Sequence, residues 1–155
     1  MGFFGKRKAR KLFDEGIELH KIGDLRAAEA KYVEALSYDP HLAEAHLNYG
    51  DLLRSTERPM AAEVEWRKAM IMDPEMSEPH SSLAQFYHSQ GRHEDAEKEY
   101  LKALDLSPNN LNAKLNLAQL YMDLVRYTEM RKLYESVLPY VTDPRLKKMI
   151  EDRIR

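Results

Sequence analysis

Six histidines are the residues of this chain best suited to metal binding or to proton transfer near neutral pH, and their spacing supports neither. His41 and His46 stand five apart, as do His88 and His93, which puts each pair on different helix faces or across a turn. No two occupy i and i+4 beside a carboxylate, the arrangement a helical zinc site requires. Carboxylates are plentiful, but a charge-rich helix surface supplies them in any case. No glycine-rich run follows a segment with strand character, so a phosphate loop is not indicated. The absence of cysteine excludes disulfides, thiol catalysis and cysteine-ligated metal, and fits a reducing compartment. No catalytic residue, metal site or cofactor is therefore expected, and the chain reads as a non-enzyme.

Charge narrows the partners. The near balance of 24 basic and 26 acidic residues hides a segregation along the chain. Residues 1–11 hold Lys6, Arg7, Lys8, Arg10 and Lys11 without an acid, and residues 145–155 hold five basic residues against Glu151 and Asp152. The stretch between carries a net charge of −10, which repels phosphate backbones, so nucleic acid is not an expected ligand. No stretch reaches the roughly 18 apolar residues a spanning helix needs, and no secretion signal opens the sequence, so a cytoplasmic protein is expected. Residues 1–8 read as a basic tail, either frayed or an early start to the first helix. Phe3 and Phe4 before its basic run would give weak attraction to an acidic membrane, not stable insertion.

These residues must be positioned by a repeat. Ala28, Ala62 and Ala96 recur at one constant interval, and Pro40, Pro74 and Pro108 recur at the same one. In register run Gly16, Gly50, Ala84 and Ala118; Leu19, Leu53, Tyr87 and Tyr121; Tyr32, Trp66, Tyr100 and Tyr134; and Ala35, Ala69, Ala103 and Val137. The units span 9–42, 43–76, 77–110 and 111–144. Leu12, Gly16 and Leu19 mark one helical face in the first unit, and Ala28, Tyr32, Ala35 and Leu36 mark another. Gly23 separates the two helices, with Asp24 placed to cap the second. The second unit lacks that glycine and turns at residues 55–59. Each repeated proline ends a unit and is expected to fit the first turn of the next helix. The small residues allow close helix crossing and the aromatics fill the neighbouring gap, so these columns read as core.

After Asp143-Pro144, an N-cap and first-turn pair, residues 145–155 space Leu146, Met149, Ile150 and Ile154 along one stripe. This is the pattern of a C-terminal capping helix with a charged outer face, which shields the end of a repeat array.

The 34-residue columns resemble the tetratricopeptide repeat (TPR) family. The resemblance spans residues 9–144, with Leu12, His46 and His80 where tryptophan is usual. The fourth unit departs further, with Met130, Val137 and Thr142 at family positions for alanine, alanine and proline, so looser packing or a different last turn is expected there. The resemblance implies an all-α fold, a right-handed superhelical α-solenoid of about four helix-turn-helix units plus the capping helix. It also implies that first helices line a concave groove for a peptide. The groove residues carried over are Phe13, Asp14, Ile17, Leu47, Asn48, Asp51, Arg54, Ser82, Gln85, His88, Asn112, Leu115, Asn116 and Gln119. Among them Asp14, Asn48, Ser82 and Asn116 form one polar column, and asparagine can pair with both amide and carbonyl of an extended peptide.

Members of the family that hold chaperone C-terminal carboxylates use lysines, an arginine and asparagines at set groove positions. Here those positions carry Phe13, Ile17, Glu78 and Ser82, or, one unit later, Leu47, Asp51, Ser82, Asn112 and Asn116. Only Asn48 matches in the first frame, and the cations are missing in both, so that clamp is not expected. The function expected is a scaffold or adaptor binding a protein partner's peptide or helix. The alternative is self-assembly into homo-oligomers through the groove or the cap helix.

Overall fold

The computed structural model describes residues 2–155 apart from the Phe3 side chain. Met1 and that side chain, half of the aromatic pair preceding the basic run, lie outside the described residues. Helices dominate, and no strand occurs among the described residues. In chain order they are α1 (Phe3–Lys21), α2 (Leu25–Tyr38), α3 (Ala43–Ser55), α4 (Pro59–Met72), α5 (Glu78–Ser89), α6 (His93–Leu106), α7 (Leu111–Asp123), α8 (Tyr127–Val137), a 3-10 turn (Leu138–Tyr140) and α9 (Pro144–Ile154). Basic residues 6–11 thus belong to α1.

Local chemistry explains several boundaries. Asp24 caps α2 by accepting from the Ala27 amide at 3.1 Å, and Asn110 caps α7 through the Ala113 amide at 3.0 Å. Asp143 accepts from the amides of Arg145 and Leu146, with Pro144 in the first turn of α9. The repeated prolines behave differently from expectation. Pro40 precedes the Leu42 N-cap of α3, and Pro74 lies in the turn before α5. The physical reason is the preceding aspartate: Asp39 accepts from the His41 amide and Asp73 from the Glu75 amide, both at 3.1 Å. These Asx-type bonds form a separate turn around each proline before the next helix starts.

The turn inside each repeat has one backbone requirement. Gly23, Glu57, Gly91 and Val125, each one repeat after the last, all have positive φ, between 60° and 84°. Glycine meets this at no steric cost, whereas the left-handed region costs other residues roughly 1–2 kcal/mol and suits a β-branched one least. Val125 is also 65% exposed, so little packing is lost with its side chain. Val125→Gly is therefore expected to raise the unfolding free energy by about 1 kcal/mol, measured by urea denaturation, after the extra entropy of glycine in the unfolded chain is deducted. A destabilised variant would contradict this account of the turn.

The chain divides into two compact units, Met1–Ser82 and Leu83–Arg155. In the first, α1 packs on α2, α2 on α3, and α3 on α4. Its core holds Leu12, Phe13, Ala28, Tyr32, Ala35, Ala45 and Leu52, together with the fully buried Trp66. The glycine column has a steric cause: a Cβ on Gly16 would lie 2.7 Å from Tyr32 Cε1, and one on Gly50 would lie 2.6 Å from Trp66 Cδ1 and Nε1. In the second unit α6 packs on α7, α7 on α8, and α8 on α9. Tyr100, Tyr134, Leu117, Leu120, Val137 and Ile150 are buried there. Met130 is buried as well, so its place in an alanine column does not open the core, while the last turn does differ, closing as the 3-10 segment.

Arginines tie successive helix pairs within each unit. Arg58 donates through Nη1 and Nη2 to the two carboxylate oxygens of Glu29 at 2.8 Å, and Tyr49 adds a hydroxyl at 3.2 Å. Arg126 holds Glu97 at the corresponding place, donating through Nη1 to both carboxylate oxygens at 2.9 and 2.8 Å, and Glu97 also accepts from the Tyr121 hydroxyl. The Arg58 bonds outweigh burial and hold the Glu29 carboxyl below its ordinary pKa.

Candidate peptide-binding faces

In the first unit, α1 and α3 present the residues expected at the groove. Asp14 and Arg54 are exposed, and Ile17, Leu47, Asn48 and Asp51 are half-buried. Phe13 is the exception, only 2% exposed. Its ring lies 5.9 Å from that of Tyr32, and it belongs to the core cluster rather than to an open pocket. Ile17 packs partly against the same cluster.

The centre of this face is Asp51. Its Oδ1 accepts from Trp66 Nε1 and from the Ser82 hydroxyl, each at 3.0 Å. The Arg54 guanidinium stands 5.7 Å from the Trp66 ring centroid, within cation–π range. Burial pushes the Asp51 pKa up, partly opposed by Ser82, Arg54 and Trp66. Burial also pushes the Tyr32 hydroxyl up to about 12, with the Asp51 charge adding to it. That hydroxyl lies 3.3 Å from His20 Nδ1. A half-buried carboxylate held by two neutral donors and faced by one arginine is a fixed polar anchor.

The polar column is not uniform. Asp14 is exposed, near Arg10 at 3.6 Å. Asn48 spends its amide on its own helix, donating to the Glu44 carbonyl at 2.8 Å. Ser82 is buried and turned to Asp51.

In the second unit, Asn116 borders an open hollow of 270 Å³ shared with Gln85, His88, Ser89, Tyr100 and Gln119. His88 Nε2 lies 2.8 Å from Asp123 Oδ2, and Gln119 donates to Asp123 Oδ1 at the same distance. Gln119 also accepts from Arg153 at 3.2 Å, and Arg153 donates to the Tyr134 hydroxyl at 2.7 Å. The α9 helix is thus fastened to its own unit by a polar clasp as well as by Ile150. Leu115 is half-buried and Asn112 exposed.

Trp66 and Arg153 are the contributors that the pattern alone concealed. Trp66 reads as a core column, and only its indole N–H reaches the binding face. Arg153 stands one full repeat after Gln119, so the register extends into α9 and offered a signal.

Helix pairs copied at a constant period, with Gly16 facing Tyr32 and Gly50 facing Trp66 across the first two, define a helical-repeat protein of the α-solenoid class. The chain belongs to the tetratricopeptide repeat family: residues 13–77 match its "Tetratricopeptide repeat" description and residues 84–125 match "TPR repeat". Comparison with curated proteins gave no sequence match. Among solved structures, pilF of Pseudomonas aeruginosa is similar over 97% of this chain and 67% of its own, with a TM-score of 0.83 at 20% identity. MamA is similar over 84% of this chain and 77% of its own, with a TM-score of 0.75 at 21% identity. The first TPR of Spaghetti (RPAP3), bound to the HSP90 peptide SRMEEVD, covers 77% of this chain and 95% of its own length, with a TM-score of 0.72 at 22% identity. These likenesses are of fold. Among the described residues no helix is long and apolar enough to cross a membrane.

Proposed function

We propose that this chain is a non-catalytic cytoplasmic adaptor that binds a peptide or helix of a partner protein on its first-helix faces. The observation that carries this reading is the Asp51 anchor, a carboxylate fixed by Trp66 and Ser82 beside the exposed Arg54. Neighbouring Ile17 and Leu47 are half-buried, so the same helices offer apolar surface. In the second unit the hollow around Gln85, His88 and Asn116 offers donors and acceptors to an extended backbone. A fold neighbour solved with a bound peptide supports the same use of the architecture. The chaperone-carboxylate clamp remains disfavoured, because Phe13 is buried and Asp51 puts negative charge on this face.

The test is affinity capture from native lysate with the wild type and with an Arg54→Glu, Asn116→Ala double variant. Captured protein is expected to fall on the order of tenfold, as for loss of one charged and one polar contact, with circular dichroism unchanged. An identical set of proteins at identical yield would remove these faces from the binding site.

A further inference from the structure

The outer face of α1 carries a charge order with its own two-fold symmetry. Phe4, Lys8, Lys11, Glu15, Glu18 and Ile22 follow one another at alternating steps of four and three residues, the last being the C-cap. That spacing holds them in one stripe, about 27 Å long at 1.5 Å per residue. The stripe lies away from the buried Ala9, Leu12, Phe13 and Gly16. Five of its members are exposed and Glu15 is half-buried. Its apolar ends are open to solvent, Phe4 at 84% and Ile22 at 77%.

The order is apolar, basic, basic, acidic, acidic, apolar. Lys11 and Glu15 stand two residues either side of Phe13, Lys8 and Glu18 five, and Phe4 and Ile22 nine. A half-turn about an axis at that level therefore maps every lysine onto a glutamate and each apolar end onto the other. A parallel alignment would set lysine on lysine and glutamate on glutamate, which is repulsive. The surface complements only a reversed copy of itself, the condition for an isologous contact.

We propose that α1 forms an antiparallel homodimer of this chain. Lys8 and Lys11 of each copy face Glu18 and Glu15 of the other, and Phe4 packs on Ile22 at both ends of the seam. An open hollow of 750 Å³ lies along this side of α1, reaching Lys31 of α2 and, at its other edge, Arg10 and Asp14, and the aliphatic parts of Arg7, Lys11, Glu15, Glu18 and Leu19 give the seam its apolar floor. Within one copy Lys8 reaches the Tyr38 hydroxyl at 2.6 Å, Glu15 meets Lys31 at 2.6 Å, and Glu18 meets Lys21 at 2.7 Å. The exposed Lys8 and Glu18 contacts are worth little and exchange readily, while the half-buried Glu15 holds Lys31 through Oε2 and turns Oε1 towards the lysine side of the stripe. A single helix seam buries less than a standard interface, so the dimer is weak, and its charge order makes it salt-sensitive. The stripe includes none of Asp51, Arg54 and Trp66.

Sedimentation equilibrium tests the proposal. At about 50 mM salt the mass is expected to rise from 18.1 kDa towards twice that value between about 10 µM and about 1 mM, and to return to monomer near about 500 mM salt. Lys8→Glu with Lys11→Glu makes the stripe wholly acidic, and Glu15→Lys with Glu18→Lys makes it wholly basic. Each variant alone is expected to stay monomeric with unchanged helicity, while an equal mixture of the two restores the dimer. Because the chain has no cysteine, Phe4→Cys mixed with Ile22→Cys should cross-link on the order of tenfold faster than Phe4→Cys alone. A monomeric wild type at about 1 mM in low salt overturns the proposal, as do charge-reversed variants that dimerise like the wild type. Equal cross-linking rates overturn the antiparallel arrangement. Binding to anionic vesicles without self-association would assign the stripe to a membrane instead.

Discussion

Trp66→Ala is expected to lower the unfolding free energy by about 3–5 kcal/mol. The indole is fully buried and lies against Gly50, where even a methyl group would be 2.6 Å from its ring. Removing it opens a cavity that a helix backbone on one side cannot relax to fill. It also removes one of the two donors to Asp51, a carboxylate that burial already disfavours. Trp66→Phe separates the two effects, because it keeps most of the ring volume and loses the N–H, and a cost of about 1–2 kcal/mol is expected. Urea denaturation of both variants is the measurement. A loss below about 1 kcal/mol for the alanine variant would mean that the packing around Gly50 is not what stabilises this unit.

Trp66 also shows what the sequence could and could not disclose. Its column with Tyr32, Tyr100 and Tyr134 was legible, because a repeat must copy its packing residues to stack on itself. The helix pairs and the burial of Gly16, Gly50 and Ala84 followed from that column. The groove was legible only as a set of positions. Phe13 shares its helix phase with genuine surface residues, yet it packs on Tyr32, since a helix turns 100° per residue and a position at the edge of a face is decided by its neighbour. Ser82 occupies the polar column but is drawn into Asp51, a contact between residues 31 apart that spacing does not encode. The left-handed slot was visible at Gly23, where glycine marks the turn, and hidden at Glu57 and Val125, where the fold imposes it on residues that resist it. The charge order of α1 is explicit in the sequence, but only the outward orientation of the stripe makes it a surface.

The second large effect concerns His46 and Glu65, buried together between α3 and α4. His46 Nδ1 lies 2.6 Å from Glu65 Oε2 and Nε2 lies 3.0 Å from the Pro40 carbonyl, so both ring nitrogens face acceptors and only the doubly protonated ring can donate to both. Lys68 adds a third bond to Glu65 at 2.7 Å. Glu65→Ala is expected to cost about 2–3 kcal/mol, because it leaves the buried His46 Nδ1 without its hydrogen-bond partner and removes the acceptor of Lys68. Replacing both, as His46→Trp with Glu65→Leu, is expected to be near neutral, since an apolar pair avoids the desolvation that the buried polar pair must overcome. The dependence on pH distinguishes a stabilised Glu65 carboxylate from a packing contact. Burial pushes the Glu65 carboxyl up, but the bonds from His46 and Lys68 outweigh it and set the pKa below its ordinary 4.5. Its contribution is therefore present above pH 4.5 and lost as pH falls through the lowered folded value. Asp51, raised from 3.8, acts in the opposite sense: its contribution is present at lower pH and lost as pH rises through the folded value. Unfolding free energies measured across the acid range should consequently fall less steeply with acid for Glu65→Gln than for the wild type, and more steeply for Asp51→Asn. Three parallel curves would mean that neither carboxylate titrates differently in the folded chain, and the buried pair would then contribute by shape alone.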